Sequence, residues 1–228
     1  MGSGGSQKIF TTVKSYSKRG QLLKRSDLQT LAESRDLDEL VTRIKNTKYL
    51  DAINSVAKPY TAEKLEIALR AKLADEQFKI AKSSGNSKIL DAFFQRFIIS
   101  NLKLILKGKI LGKSQEEISA FFNMHAEELA KQRDIVVKAL VAKDLEEAVS
   151  SLGSSPFSDE IQKAVELYNE TKNIQAFDVY FDKMLYQNIT RALRSENDQD
   201  ISHIYGMETD FYNVMSIVRG KFWGLDDE

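Results

Sequence analysis

The stretch "NLKLILKGKILGKSQE" (101–116) decides between two folds. Its centre, "GKILGKS" (108–114), is one residue short of the phosphate-binding pattern G-x-x-x-x-G-K-[ST], which lies between a buried strand and a helix. Read that way, it is a nucleotide-binding loop that follows a buried strand. The residues leading into it argue otherwise. Leu102, Ile105 and Leu106 fall on one helical face, with Lys103 and Lys107 on the other. Lys107 also stands where the phosphate loop requires its first glycine. A helix that stops at Gly112 and restarts at Ser114 explains the same letters, because glycine suits a left-handed C-cap and serine an N-cap.

A second copy supports the helical reading. "NVMSIVRGKFWGLDDE" (213–228) aligns with 101–116 at an offset of 112 (213 − 101). The alignment pairs Asn101, Gly108 and Gly112 with Asn213, Gly220 and Gly224. It replaces Lys113 and Ser114 by Leu225 and Asp226, so the phosphate-contacting lysine and the metal-contacting hydroxyl are the parts that vary. Upstream, "SRDLDELVTRIKNTKYLDAI" (34–53) aligns without a gap with "AKDLEEAVSSLGSSPFSDEI" (142–161), at an offset of 108 (142 − 34). Asp36, Leu37, Glu39, Val41, Asp51 and Ile53 match Asp144, Leu145, Glu147, Val149, Asp159 and Ile161. Between these blocks, "LEIALRAKL" (65–73) stands opposite "FDVYFDKML" (177–185). Three blocks in one order, with glycines in register, mark an internal repeat. We read a first helical unit at 7–118 and a second at 119–228, after a Gly/Ser-rich leader or cloning scar at 1–6.

Two prolines, Pro59 and Pro156, interrupt a chain whose apolar residues recur at three and four spacing, without sustained alternation. The expectation is an all-α fold, with helices at 8–24, 37–46, 62–83, 88–111, 115–141, 159–171, 174–194 and 207–222. Ser26 with Gln29, Asp36 with Glu39, Ser114 with Glu117 and Asp144 with Glu147 fit a capping box, strictly or loosely. Thr61 and Ser158 read as further N-caps. The carboxylate pairs Asp38–Glu39 and Glu146–Glu147 read as first-turn residues favoured by the helix dipole, not as catalytic acids.

Composition excludes several functions. The chain has 33 Lys plus Arg against 33 Asp plus Glu, so it lacks the basic excess expected of a nucleic-acid binder. Without cysteine it has no disulfide, thiolate metal site or cysteine nucleophile. Its two histidines, His125 and His203, have no metal-pair spacing and read as partly buried or surface imidazoles. The most apolar region, "FIISNLKLILKGKILG", is broken by Asn101, Lys103 and Lys107, short of the roughly 20 apolar residues a membrane span needs. The expectation is therefore a soluble protein that reaches a membrane only through a partner. No catalytic, cofactor-binding or metal-binding residue stands out.

Lys103, Lys107 and Lys109, with Arg219 and Lys221 in the second copy, are the candidate partner contacts; together with Lys113 the first three read as a basic edge facing an acidic partner, or simply as a solvated face. Gly108 and Gly220 read as close helix packing or as the loosening of a last turn. Phe222 and Trp223 are expected to bury under a following helix.

The leucines Leu22 and Leu23, the run "DLDELVTRIKNTKY" (36–49), and the blocks "NLKLILKGK" and "NVMSIVRGK" together resemble the C subunit of archaeal-type (A-type) ATP synthases and its relative, the d subunit of vacuolar-type (V-type) ATPases. The resemblance covers nearly the whole chain after the leader. It implies three similar helical units around a pseudo-threefold axis, forming a funnel. It implies a non-catalytic subunit between the central-stalk rotor subunits and the membrane proteolipid ring, transmitting torque in a proton- or sodium-translocating complex. It also implies a peripheral place on the cytoplasmic side of the membrane. This sequence shows two of the three units, and the expectation is that a third is missing, with Asp226 placed to cap its first helix. The alternative is a generic helical-repeat adaptor of another complex, with a groove of exposed apolar residues. An enzyme using Lys109 or Lys113 on a phosphate is the remaining reading.

Overall fold

The computed structural model describes residues 3–85, 87–196 and 199–222, and among these every regular element is a helix. The first six are α1 (Ser3–Arg19), α2 (Arg25–Ala32), α3 (Leu37–Lys45), α4 (Leu50–Asn54), α5 (Ala62–Ser83) and α6 (Lys88–Ile110). Then follow α7 (Gln115–Ser119), α8 (His125–Ala130), α9 (Arg133–Val141) and α10 (Leu145–Ser151). The last three are α11 (Ser158–Thr171), α12 (Ala176–Glu196) and α13 (Gln199–Phe222).

α6 is the axis of the core. Its stripe of Ile98, Ile99, Leu102, Ile105 and Leu106 is buried, because the three-and-four spacing puts them on adjoining turns. α12 lies along that stripe with Phe177, Phe181 and Met184, and α9 closes it with Val136, Ala139 and Leu140. Each of these side chains other than Ala139 contributes roughly 1.5–3 kcal/mol on leaving water. A smaller cluster of Val41, Ile44, Ile53 and Leu65 joins α3, α4 and α5. A third, with Ile89, Ala92, Ile189 and Leu193, holds α6 to α12 and takes Tyr205 from α13.

The caps explain where helices start. Asp36 and Asp144 accept from the N–H groups of Glu39 (2.8 Å) and Glu147 (2.9 Å). The glutamates do not reach back to the cap itself. They accept from the N–H one residue earlier, of Arg35 (3.1 Å) and Lys143 (2.7 Å), so the box is shifted alike in both blocks. Thr47 and Ser155 hydroxyls likewise accept from the N–H groups of Tyr49 (3.2 Å) and Phe157 (3.3 Å), 108 residues apart in the alignment (155 − 47). Ser114 and Glu117 form the reciprocal box in full. Thr61 caps α5 as expected, and Ser87 caps α6.

Other expectations need correction. Ser26 lies inside α2, whose first turn is closed by the Asp27 carboxylate accepting from the Lys24 N–H at 2.8 Å. Ser158 is the first residue of α11, after an N-cap at Phe157. α1 begins at Ser3 and ends at Arg19, so helix extends into the glycine-rich opening, and Leu22 and Leu23 lie beyond it. The short helices α2, α4 and α10 are additional to the expected spans, and α13 starts eight residues earlier than 207, at Gln199.

The single helix expected at 115–141 is three. Asn123 breaks it: its Oδ1 accepts from the His125 N–H at 3.0 Å, and its Nδ2 donates to the Ile67 carbonyl at 3.0 Å. A second break follows at Lys131, whose φ of 58° is left-handed. The breaks fold α8 back beneath α6, which a straight helix could not do.

Candidate interaction surface

The opening motif resolves into helix punctuation. Gly112 has φ +65° at the end of α6. The Lys113 N–H donates to the Gly108 carbonyl (2.9 Å) and the Gly112 N–H to the Lys109 carbonyl (3.1 Å), a Schellman C-terminus. Ser114 then opens α7, and Lys113 pairs with Glu117 at 3.0 Å in solvent. Gly108 has a packing reason. A Cβ there would lie 2.7 Å from Ile118 Cγ1, so glycine lets α7 close onto α6. Gly220 is half-buried in α13, and Gly224, Trp223 and Asp226 lie outside the described residues.

The three lysines of the first copy are engaged within the fold. Lys103 Nζ lies 2.8 Å from Asp182 Oδ1 and 3.3 Å from Asp178 Oδ1, and Lys107 Nζ bonds Asp178. Burial works against the Lys103 charge, but the Asp182 hydrogen bond and the two carboxylates outweigh it, so its pKa lies above that of an ordinary lysine. Lys109 Nζ donates to the carbonyls of Leu140 (2.8 Å) and Ala142, capping the C-terminal end of α9. These side chains form neither an open basic edge nor a solvated face. They clamp α12 and α9 to α6. Arg219 and Lys221 lie in the exposed last turn of α13.

Asn101 is buried and joins two elements. Its Nδ2 donates to the Asn123 carbonyl (3.1 Å) and to Glu127 Oε1 (2.7 Å). Glu127 is fully buried on α8, and its Oε2 has no protein partner. Burial pushes its carboxyl pKa up, partly opposed by its own backbone N–H and by Asn101. Sequence reasoning missed Glu127, because an acid in the first turn of a short helix reads as a solvated dipole partner. The one signal was Asn101 itself, a polar residue on an apolar stripe. Its repeat partner Asn213 is exposed.

His125 Nε2 lies 3.4 Å from Asp75 Oδ1, linking α8 to α5 across an open hollow of about 820 Å³. His203 is exposed. Among the described residues there is no cluster of three His, Asp or Glu able to hold a metal, and no helix is long and apolar enough to cross a membrane.

What lies open is apolar surface. Phe222 is 85% exposed, contrary to the expectation of core burial, because among the described residues nothing packs on that side of α13. Ile204, Met207, Phe211 and Val214 share its fate. A leucine-lined groove of about 470 Å³ runs between α3 and α5.

These features define a class: an all-helical protein in which Asn101, Lys103, Lys107, Gly108 and Lys109 hold helices together and apolar side chains of α13 lie open. The chain belongs to the ATP synthase (C/AC39) subunit family, whose model matches residues 11–228. It is 29% identical over 231 residues to the A-type ATP synthase C subunit of Methanocaldococcus jannaschii, an alignment spanning 96% of this chain and 55% of that one. To the A-type ATP synthase C subunit of Thermococcus kodakarensis it is 27% identical over 212 residues, spanning 90% and 54%. To that of Haloferax volcanii it is 22% identical over 229 residues, spanning 98% and 64%. The chain thus spans about half the length of the first two relatives. No solved structure matches it.

Proposed function

We propose that this protein is a non-catalytic connector in an A-type rotary ATP synthase. In this reading it sits on the cytoplasmic side of the membrane and joins the central-stalk rotor subunits to the proteolipid ring of a proton- or sodium-translocating complex. The family match over residues 11–228 carries the reading. The physics is compatible with it. A torque coupler needs stiffness, and α6 is clamped by a continuous apolar core and by the Lys103, Lys107 and Lys109 contacts. Two units, 7–118 and 119–228, remain our division of the chain, supported by the recurrence of the α2-to-α6 helix order in α9 to α13.

Affinity purification of the tagged chain from its own cells tests the proposal. The expected result is recovery of central-stalk and proteolipid subunits, and no ATP hydrolysis by the chain alone. Recovery of an unrelated complex, with neither ATPase element present, would instead favour the adaptor reading, for which the open α3–α5 groove is the supporting observation.

A further inference from the structure

α8 is a helix of six residues, His125–Ala130, held between the backbone breaks at Asn123 and Lys131. A helix this short does not sustain itself in water, so its contacts decide whether it stays in place. It is wedged between α5, α6 and α9. Ala126 enters a small apolar cluster with Ala74 of α5 and Phe94 of α6. Asn123, just before α8, donates to the Ile67 carbonyl of α5, and His125 meets Asp75 of α5 at 3.4 Å. Toward α6 the polar link is Glu127, bonded to Asn101.

Glu127 is the link that a proton alters most. Its side chain is fully buried, Oε1 takes a bond from Asn101, and Oε2 has no protein partner. The Gln132 N–H closes onto the Glu127 main-chain carbonyl at 2.8 Å, and Gln132 Oε1 is a second buried acceptor without a donor. This corner therefore has acceptors to spare, which suits a neutral carboxyl able to donate and disfavours a carboxylate.

A buried carboxylate also needs an opposite charge, and among the described residues the helices packed on α8 commit their cations elsewhere. On α5, Arg70 turns to Glu66 and Ser100, Lys79 to Asp75, and Lys72 to Glu76, which Lys18 of α1 also holds. On α6, Arg96 stacks on the Phe97 ring, while Lys103 and Lys107 face α12. On α9, Arg133 lies 3.5 Å from Glu128. On α8 itself, His125 is engaged with Asp75, and Glu128 has the same sign as Glu127.

We propose that α8 is a proton-controlled latch between α5 and α6, docked while Glu127 carries a proton and loosened when that proton leaves. The core survives the release, because the α6 stripe is buried against α12 and α9. What loosens is the hold on α5, which α6 and α8 tie to that core. The raised pKa of Glu127 agrees in sign: docking is complete below the ordinary carboxylate value and is lost as pH rises through the raised one. The latch stands whether or not the chain serves a rotary ATPase.

Hydrogen exchange on the full chain tests it, followed across a pH series and corrected for the intrinsic exchange rate. Protection of the α8 amides is expected to fall as pH rises, while that of α6 and α12 holds. The fall is about tenfold for each unit by which the docked pKa exceeds that of the open form. Glu127→Gln keeps the shape without the charge, so it is expected to hold α8 protected across the series. In the unaltered chain, the NMR signal of the isotope-labelled Glu127 carboxyl carbon is expected to titrate over the same window. That measurement decides the matter if the variant fails to fold. Protection of α8 that ignores pH overturns the proposal. So does a fall that persists in Glu127→Gln, a loss shared by the whole core, or a carboxyl that titrates at the ordinary carboxylate value.

Discussion

α6 and α13 are two readings of one pattern. They run for 23 and 24 residues, end in matching "KGK" and "RGK" segments, and carry apolar residues in the same register. Yet α6 buries ten residues and is the axis of the core, while α13 buries Tyr205 alone among its described residues. The difference does not lie in the helices. It lies in their neighbours. α12, α9, α8 and α10 pack around α6, whereas α13 has α12 along one side and meets the first turns of α6 through Tyr205, which packs with Ile89, Ala92 and Phe93. A periodic apolar stripe thus specifies a face that can be covered, and says nothing about what covers it.

A paired substitution breaks the likeness most visibly. Leu102→Ala removes a fully buried side chain from α6 and is expected to cost about 2–5 kcal/mol in denaturant unfolding. Ile217→Ala, three residues further along the aligned stripe of α13, is expected to change stability by less than about 0.5 kcal/mol in the monomer. If the two costs came out alike, α13 would be as well packed as α6 and the contrast would fail.

Glycines give a contrast of sign. Gly108→Ala forces a methyl against Ile118 and is expected to destabilise by about 1–3 kcal/mol, part of which Ile118→Ala should recover. Gly206→Ala on α13 meets open space and is expected to stabilise by about 1 kcal/mol through helix propensity, read as a rise in thermal midpoint. The asparagines sharpen the same point. Asn101→Ala strands the buried Glu127 carboxyl at an expected cost of about 1–3 kcal/mol, whereas Asn213→Ala should be near neutral.

The smallest effects are pH-dependent. Burial raises the Glu127 pKa above its unfolded value, so the fold favours the neutral acid. That contribution is complete below the unfolded pKa and is lost as pH rises through the folded one. The melting temperature should therefore fall slightly over that window, and Glu127→Gln should flatten the trend. Glu39 behaves oppositely. The Arg35 side chain and backbone, then Arg43, lower its pKa from 4.5 to about 2. Its contribution is present above pH 4.5 and fades as pH falls toward 2, so Glu39→Gln should weaken only the acid dependence, a change visible in melts between those values.

The all-helical class, most of the long helices and several of their caps were legible in the residues alone. Those depend on local chemistry: a three-and-four apolar spacing, an Asp or Ser at the cap, a glycine able to take the positive φ of Gly112. Local chemistry also separated the "GKILGKS" helix stop from a phosphate loop. Everything else waited on packing. The expected helix at 115–141 breaks because Asn123 finds its better partners on α5 and α6, which are distant in sequence. Lys103, Lys107 and Lys109 look like a surface row in the sequence and become clamps because α12 and the end of α9 fold onto them. Glu127 is buried because α8 turns back under α6. In each case the deciding partner lies more than twenty residues away, and only packing brings it within hydrogen-bonding reach.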